Sequence, residues 1–343
     1  MSYFDEKCEK LDSLTNGFKP ACILIAACDL DLFTWILRLG DDASEEQLAE
    51  KMGVSLRGLR SILRGVASLG FLERSAEGGW RVVDDYRDIL DSRSRGSQVP
   101  WVRHAGACLR QWGQLAWSVR TGSPAPKMSS VCGPLEDYRS FIWAMDNIGR
   151  RMAPAVARKL HELGFLDFAC MLDLGGATGT YAKAFLERNP SALAVVFDLP
   201  EGIEEARKSL DTSTYGDRIS LKEGDFYTDE WPSGFDFVWV SAIIHQQDQS
   251  ATLAMFEKAW RALLPGGRIA VRDVFFAQDT LSPPAAVFFA INMLCNTLSG
   301  MVYTVEETTQ LLESAGFSNA RLLISSNDMG SVIVAEKNAE ETM

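Results

Sequence analysis

The sequence predicts an α/β fold: a doubly wound, mostly parallel seven-stranded sheet with a closing antiparallel hairpin, preceded by a mainly helical region. Three observations predict it. From Phe168 onward, short apolar runs alternate with stretches of helical periodicity, the pattern of a parallel sheet covered by helices. The last two apolar runs, "ARLLISS" and "GSVIVAEK", have no helix between them and so pair as a hairpin. Upstream of Phe168 the chain reads as helices, interrupted by one short pair of strands.

In chain order, Lys19 to Leu39 reads as helical, with a wide apolar face. Ser44 with Gln47 forms a capping box for a short helix that Gly53 ends. Ser55 caps a second helix running to Ser68. "FLER" and "WRVV" then flank the turn "SAEGG". Helix, turn, helix and hairpin is the order of a winged helix. Asp91 to Gln98 is a polar linker, and aromatic-rich helical segments span Trp101 to Val119. A long helical run follows "GSPAPKMSSVCGP", with a bend expected at Pro154. The strands after Phe168 are "ACMLDLGG", "ALAVVFDLP", "ISLKEGD", "FDFVWVSA" and "GRIAVRDVFF", then the hairpin. This gives a helical winged-helix-like region at 1–100, connecting helices at 101–165 and a Rossmann-like domain at 166–343.

Bulk composition narrows the function. The 343 residues are 47% hydrophobic and 23% charged, enough for ordinary cores. The net charge of −12 argues against nucleic acid, which is bound by displacing counterions with Lys and Arg. Arg57, Arg60 and Arg64 on the second short helix are therefore read as a solvated face rather than a recognition surface. Seven scattered cysteines without a C-x-x-C suit reduced thiols and a cytoplasmic location. Met1 to Lys10 is acidic and polar, unlike a secretory signal. Thr280 to Thr304 carries no charge, but prolines and polar residues break its apolar groups. It is expected to be a buried helix lining an apolar pocket, not a membrane span.

Ligands of doubly wound sheets bind outside the C-terminal strand ends, near the switch in strand order. The first strand ends in Asp173, Leu174, Gly175, Gly176, Ala177, Thr178 and Gly179. Glycines let the backbone turn tightly against a ligand. A G-x-G-x-x-G fingerprint from Gly175 fails at Ala177 and Thr180. Asp173 would repel a pyrophosphate but suits the cationic, amine-bearing end of S-adenosylmethionine. The second strand ends at Asp198, spaced to accept ribose hydroxyls. After the third strand, Asp225 can accept an adenine amino group and Phe226 can cover the ring. Three acids in order, after three successive strands, are hard to obtain by accident.

The fourth strand carries Ser241 near its end and leads to His245. An unperturbed imidazole titrates near pH 6.5, which suits a general base at neutral pH. Asp273 closes the next strand, where it can orient His245, hold the substrate, or pair with Arg272 or Arg268. His104 is a core histidine or a pocket wall, and His161 lies on a charged helix. Phe141, Met145, Asn147, Phe289, Met293 and Met301 are candidate acceptor-pocket residues, suggesting a flat apolar acceptor. No His, Asp and Glu cluster has metal-ligand spacing, so no metal is expected.

These motifs resemble the small-molecule O-methyltransferases, including the caffeate, acetylserotonin and bacterial tailoring enzymes. The resemblance runs from Phe18 to Glu336 and rests on "LDLGGATG", "FDLP", "GDFY", "IIH", "LLPGGRIAVRD" and "AGFSNARLL". The early "ACDLDLF" and the "FIWAM" before the catalytic domain add to it. It implies that Asp173, Gly175, Gly179, Asp198, Leu199, Asp225 and Phe226 hold S-adenosylmethionine, and that His245 is the base. Gly176 and Ser241 join the expected cofactor set from their places at the strand ends. The resemblance also implies a homodimer built by the N-terminal domain, one subunit helping to close its partner's pocket. The chain departs from the family where an acid or amide and then a tryptophan usually follow the histidine. Those positions are Gln246 and Gln247, and Val302 stands where many members carry a second acid. Two other readings remain: a winged-helix ligand sensor, and a relative that keeps the cofactor but performs decarboxylation or hydroxylation. The retained His245 argues against the latter.

Overall fold

The computed structural model describes residues 3–210, 215 and 217–339. Two compact units emerge: residues 1–110 with 128–145, and residues 111–127 with 146–343. The expected connecting segment is thus shared between them.

The first unit begins with α1 (Tyr3–Asn16), α2 (Phe18–Asp29) and α3 (Leu32–Leu39). The stretch read as helical over Lys19 to Leu39 forms two helices. The break falls at Asp31, whose φ of 54° is left-handed. Aspartate visits that conformation because its short side chain bonds locally, here accepting from Thr34 Oγ1 at 2.8 Å. Next come α4 (Glu45–Met52) and α5 (Leu56–Ser68). Ser44 and Gln47 cap α4 reciprocally, each side chain accepting from the other's backbone N–H. Gly53 ends the helix at φ 64°. Ser55 Oγ accepts from Gly58 N–H to start α5. Leu59, Leu63 and Val66, spaced on one helical face, join Leu32, Phe33, Ile36, Leu48 and Trp80 in a single core. The short antiparallel pair β1 (Leu72–Arg74) and β2 (Trp80–Val82) completes the helix-turn-helix-hairpin order. On α5, Arg60 pairs with Glu45 at 2.7 Å and with Glu46 at 3.0 Å, so its charge is already answered within the unit. Helices α6 (Arg87–Leu90), α7 (Val99–Trp112), α8 (Leu115–Thr121) and α9 (Pro134–Glu162) follow, with Pro154 inside α9.

The second unit contains β3 (Cys170–Leu174), α10 (Thr180–Arg188), β4 (Leu193–Asp198), α11 (Pro200–Leu210), β5 (Ile219–Glu223), β6 (Phe235–Ser241), α12 (Gln249–Ala262), β7 (Leu263–Asp273), α13 (Pro284–Asn296), α14 (Val305–Ser314), β8 (Ser318–Ile324) and β9 (Ser331–Glu336). The sheet order is β5-β4-β3-β6-β7-β9-β8. Its first five strands are parallel, and β9 and β8 close it antiparallel. The predicted doubly wound, seven-stranded sheet with its closing hairpin is what forms. Alternation along each strand serves two cores: Met171 and Trp239 face one, Leu172, Val238 and Val240 the other. The strand order reverses between β3 and β6, which sets a crevice at their C-terminal ends.

The uncharged stretch from Thr280 holds α13, which is less buried than expected. Ala286, Met293 and Cys295 are inside, whereas Phe288 is 62% exposed. Among the described residues, no single helix is long and apolar enough to cross a membrane.

Candidate active site

The turn after β3 is shaped by left-handed backbone at Gly175 (φ 61°), Ala177 (φ 44°) and Gly179 (φ 70°). Gly175 donates its N–H to Phe197 O at 2.8 Å, tying the turn to the end of β4. A side chain at Gly175 would stand 2.8 Å from Ile243 Cδ1, and one at Gly176 would stand 2.6 Å from Asp173 Cγ. Positions 175 and 176 of the turn are therefore tight for any side chain. Asp173 beneath it is 2% exposed and accepts from Ala182 N–H at 3.2 Å. Burial pushes its carboxyl up to about 7, with neighbouring Asp198 adding to the rise. No cation pairs with it among the described residues.

Asp198 Oδ2 accepts from Ala177 N–H and Oδ1 from Leu199 N–H, both at 2.7 Å. Burial raises this carboxyl too, against those two hydrogen bonds. Beyond β5, Asp225 Oδ1 accepts from Tyr227 N–H at 2.8 Å, and Asp225 N–H donates to Asp229 Oδ2. Phe226 is buried, its ring 4.3 Å from that of Tyr227. A side chain at Gly175 would also meet the Phe226 ring, at 3.6 Å. Asp173 and Asp198 thus flank one turn, and Phe226, next to Asp225 in the chain, reaches the same turn.

Across the switch point, His245 sits on a short 3-10 turn after β6. Its Nδ1 stands 2.9 Å from both Oδ1 and Oδ2 of Asp273, at the end of β7. Asp273 is 1% exposed and its Oδ1 also accepts from Val274 N–H. A proton on Nδ1 directed at the carboxylate leaves Nε2 as an acceptor. Phe289 packs edge-on against the imidazole, with centroids 4.7 Å apart at 87°. Ser241, at the end of β6, accepts from Arg272 Nη1 at 2.6 Å. Asp273 pairs with neither Arg272 nor Arg268: Arg272 turns to the opposite face, and Arg268 donates to the Gly164 and Asp167 carbonyls.

The expected acceptor residues are distributed. Phe289 lies against His245, Met293 is buried on α13, and Met301 packs partly buried against the sheet's core. Asn147 is buried within α9. Phe141 and Met145 belong to the first unit, where Phe141 lies 5.3 Å from the His104 ring. Burial pushes the His104 imidazole down. Val302 is buried with Val274 and Ala286, so the place of the second acid is apolar. Gln247 O accepts from Tyr303 OH at 2.8 Å, and the Tyr303 hydroxyl is pushed up to about 12 by burial.

Two buried side chains, Asp146 and Arg272, carry no cofactor role in the sequence pattern. Asp146 of α9 accepts from Thr178 Oγ1 at 2.7 Å and Thr180 Oγ1 at 2.5 Å, anchoring the turn to that helix. Arg272, which the sequence offers as a partner for Asp273, instead donates to Ser241. Among the described residues, no group of three or more His, Cys, Asp or Glu is arranged to hold a metal ion.

A doubly wound sheet with glycines and acids at its switch point is an arrangement that can hold a nucleotide-type cofactor. A family model described as an O-methyltransferase domain matches residues 137–318, and one described as an O-methyltransferase dimerisation domain matches residues 13–86. The tetracenomycin polyketide synthesis 8-O-methyl transferase of Streptomyces glaucescens is 32% identical over 316 residues, 90% of this chain and 91% of that protein. Acetylserotonin O-methyltransferase of Bos taurus is 27% identical over 327 residues, 91% of this chain and 92% of that protein. The crystal structure of human N-acetylserotonin methyltransferase in complex with SAM matches with a TM-score of 0.78 at 25% identity, over 98% of this chain and 99% of that one. The chain belongs to the O-methyltransferase family, and it is an S-adenosylmethionine-dependent enzyme acting on small molecules.

Proposed function

We propose that the enzyme methylates a phenolic or enolic hydroxyl of a small, largely apolar acceptor, with His245 as general base. The buried His245–Asp273 pair at the switch point carries this reading. Asp273 holds the Nδ1 proton, fixes the tautomer and stabilises the imidazolium after Nε2 takes the hydroxyl proton. When bound, S-adenosylmethionine supplies a methyl group on cationic sulfur for in-line displacement. Asp173 holds the ammonium of its amino-acid end, and the residues present fit that group: a buried carboxyl pushed up to about 7 lacks only a cation. Gly175, Gly176 and Gly179 leave room for close backbone approach. Asp198 and Leu199 take the ribose, Asp225 the adenine amino group, and Phe226 the ring face. Ser241 completes the cofactor set. Asn147, Phe289, Met293 and Met301, all in the second unit, shape the acceptor pocket. Positioning of two reactants in one closed pocket supplies much of the rate.

We assign residues 1–100 to dimerisation, 101–165 to connection and pocket-building, and 166–343 to methyl transfer. The dimerisation-domain match supports a homodimer. The seven free cysteines support a cytoplasmic location. The test supplies methyl-labelled cofactor with a panel of phenols, enols and amines. Label on oxygen supports the proposal. Label on nitrogen or carbon, or conversion without methyl transfer, overturns it.

A further inference from the structure

We propose that Arg272 binds the carboxylate of the methionine portion of S-adenosylmethionine, reaching it from the strand next to the one that ends in Ser241. This rests on the cofactor site proposed above. Arg272 is 3% exposed, yet no carboxylate oxygen among the described residues lies within ion-pair distance of its guanidinium. Its Nε is buried without a hydrogen-bond partner. A buried guanidinium is normally kept only when an anion answers it, because desolvation of an unpaired charge is costly.

The contacts Arg272 does make are weak substitutes. Nη1 donates to Ser241 Oγ at 2.6 Å, Nη2 lies 3.4 Å from Met152 Sδ, and the guanidinium carbon sits 5.1 Å from the Tyr181 ring centre. A hydroxyl, a thioether and an aromatic face orient the fork, but none carries negative charge.

Its place in the sheet indicates which anion is missing. Arg272 pairs with Ser241 across β6 and β7. Asp173 pairs with Trp239, two residues before Ser241. Since side chains alternate along strands, Asp173, Ser241 and Arg272 project from the same face of the sheet, Arg272 one row nearer the C-terminal mouth. An α-amino acid presents an ammonium and a carboxylate on one carbon. Asp173 is a buried carboxyl with no cation partner and Arg272 a buried guanidinium with no carboxylate partner, on the same face of the sheet. Together they form a complementary pair of sites for those two charges. Arginine's planar fork also suits bidentate recognition of a carboxylate. Asp273 lies on the opposite face with His245 and does not compete.

The test is calorimetry with two probes: S-adenosylhomocysteine, and its decarboxylated analogue, which keeps the amine and lacks the carboxylate. Wild-type protein should prefer S-adenosylhomocysteine by about tenfold or more, the range of a charge-assisted hydrogen bond. Arg272→Met should bring the two affinities within about twofold, by weakening only the carboxylate-bearing probe. Arg272→Lys, which keeps a charge but not the fork, should retain part of the preference. Equal binding of both probes by the wild type overturns the proposal without any variant, so a misfolded Arg272→Met cannot shelter it. Equal weakening of both probes in folded Arg272→Met overturns it as well. Failure of wild-type protein to bind either probe would instead overturn the cofactor site itself.

Discussion

Two buried aspartates end neighbouring halves of the same sheet, and they are in opposite condition. Asp273, at the end of β7, holds His245 with both oxygens 2.9 Å from Nδ1 and takes a backbone N–H besides. Asp173, at the end of β3, has one backbone N–H at 3.2 Å and a carboxyl pushed up to about 7 by burial. The first half of the crevice is electrostatically complete without a ligand. The second is not, and a buried guanidinium without a carboxylate partner, Arg272, faces the same side of the sheet. The difference separates chemistry from binding. A base must be oriented before substrate arrives, whereas a site for a charged cofactor can leave its own charges unanswered until the cofactor supplies the counter-charges.

The largest effect that can break this comparison is in turnover. His245→Ala should lower methyl transfer to a phenolic acceptor by about 10²–10⁴-fold, the usual worth of a general base. Steady-state kinetics with labelled cofactor would measure it. Nearly full activity would mean that the completed half of the crevice does not do proton transfer.

The next effect is in stability. The folded-state carboxyl of Asp173 is raised above its ordinary 3.8 to about 7, so the unliganded fold retains a proton that the unfolded chain releases earlier. Its stabilising contribution is full below about pH 4 and lost as pH rises through about 7. Asp173→Asn stays neutral and keeps the acceptor for Ala182 N–H. It should therefore stabilise the unliganded protein at pH 8 by on the order of a few kcal/mol, and hardly at all at pH 4. Urea melts at the two pH values check this. For the same reason S-adenosylhomocysteine should bind wild-type protein more tightly at pH 8 than at pH 6.

Much of this was legible in the sequence. Glycines after an apolar run, and acids at the ends of three successive strands, mark the binding edge because strand order fixes where ligands go. His245 was legible because it follows a strand where the two other histidines do not. The role of Arg272 was not, because its environment depends on the pairing of β6 with β7. One signal was available: Arg272 and Asp273 are consecutive on a strand and must face opposite ways, which excludes a pair between them. Asp146 was hidden because a helix some thirty residues upstream contacts Thr178 and Thr180 only after folding. The break at Asp31 was hidden because the apolar pattern continues through it, while the left-handed turn depends on a local side-chain bond.

Two smaller effects sharpen the comparison. Gly175→Ala should destabilise the protein by about 1–2 kcal/mol, since it places a side chain at φ 61° and 2.8 Å from Ile243 Cδ1. It should also weaken S-adenosylhomocysteine binding, because the turn would shift; thermal melts with and without ligand would show both. Ser44→Ala removes the α4 cap in the first unit and should cost about 1 kcal/mol in a denaturant melt while leaving cofactor affinity unchanged.

The most direct measurement is a calorimetric titration of S-adenosylhomocysteine into wild-type protein, Asp198→Ala and His245→Ala. Wild-type protein should bind, Asp198→Ala should lose about 1–3 kcal/mol of affinity through its missing charge-assisted hydrogen bonds, and His245→Ala should stay within a few fold of wild type. Absence of binding by the wild type, or a loss in His245→Ala as large as in Asp198→Ala, would contradict the division of the crevice into a binding half and a chemical half.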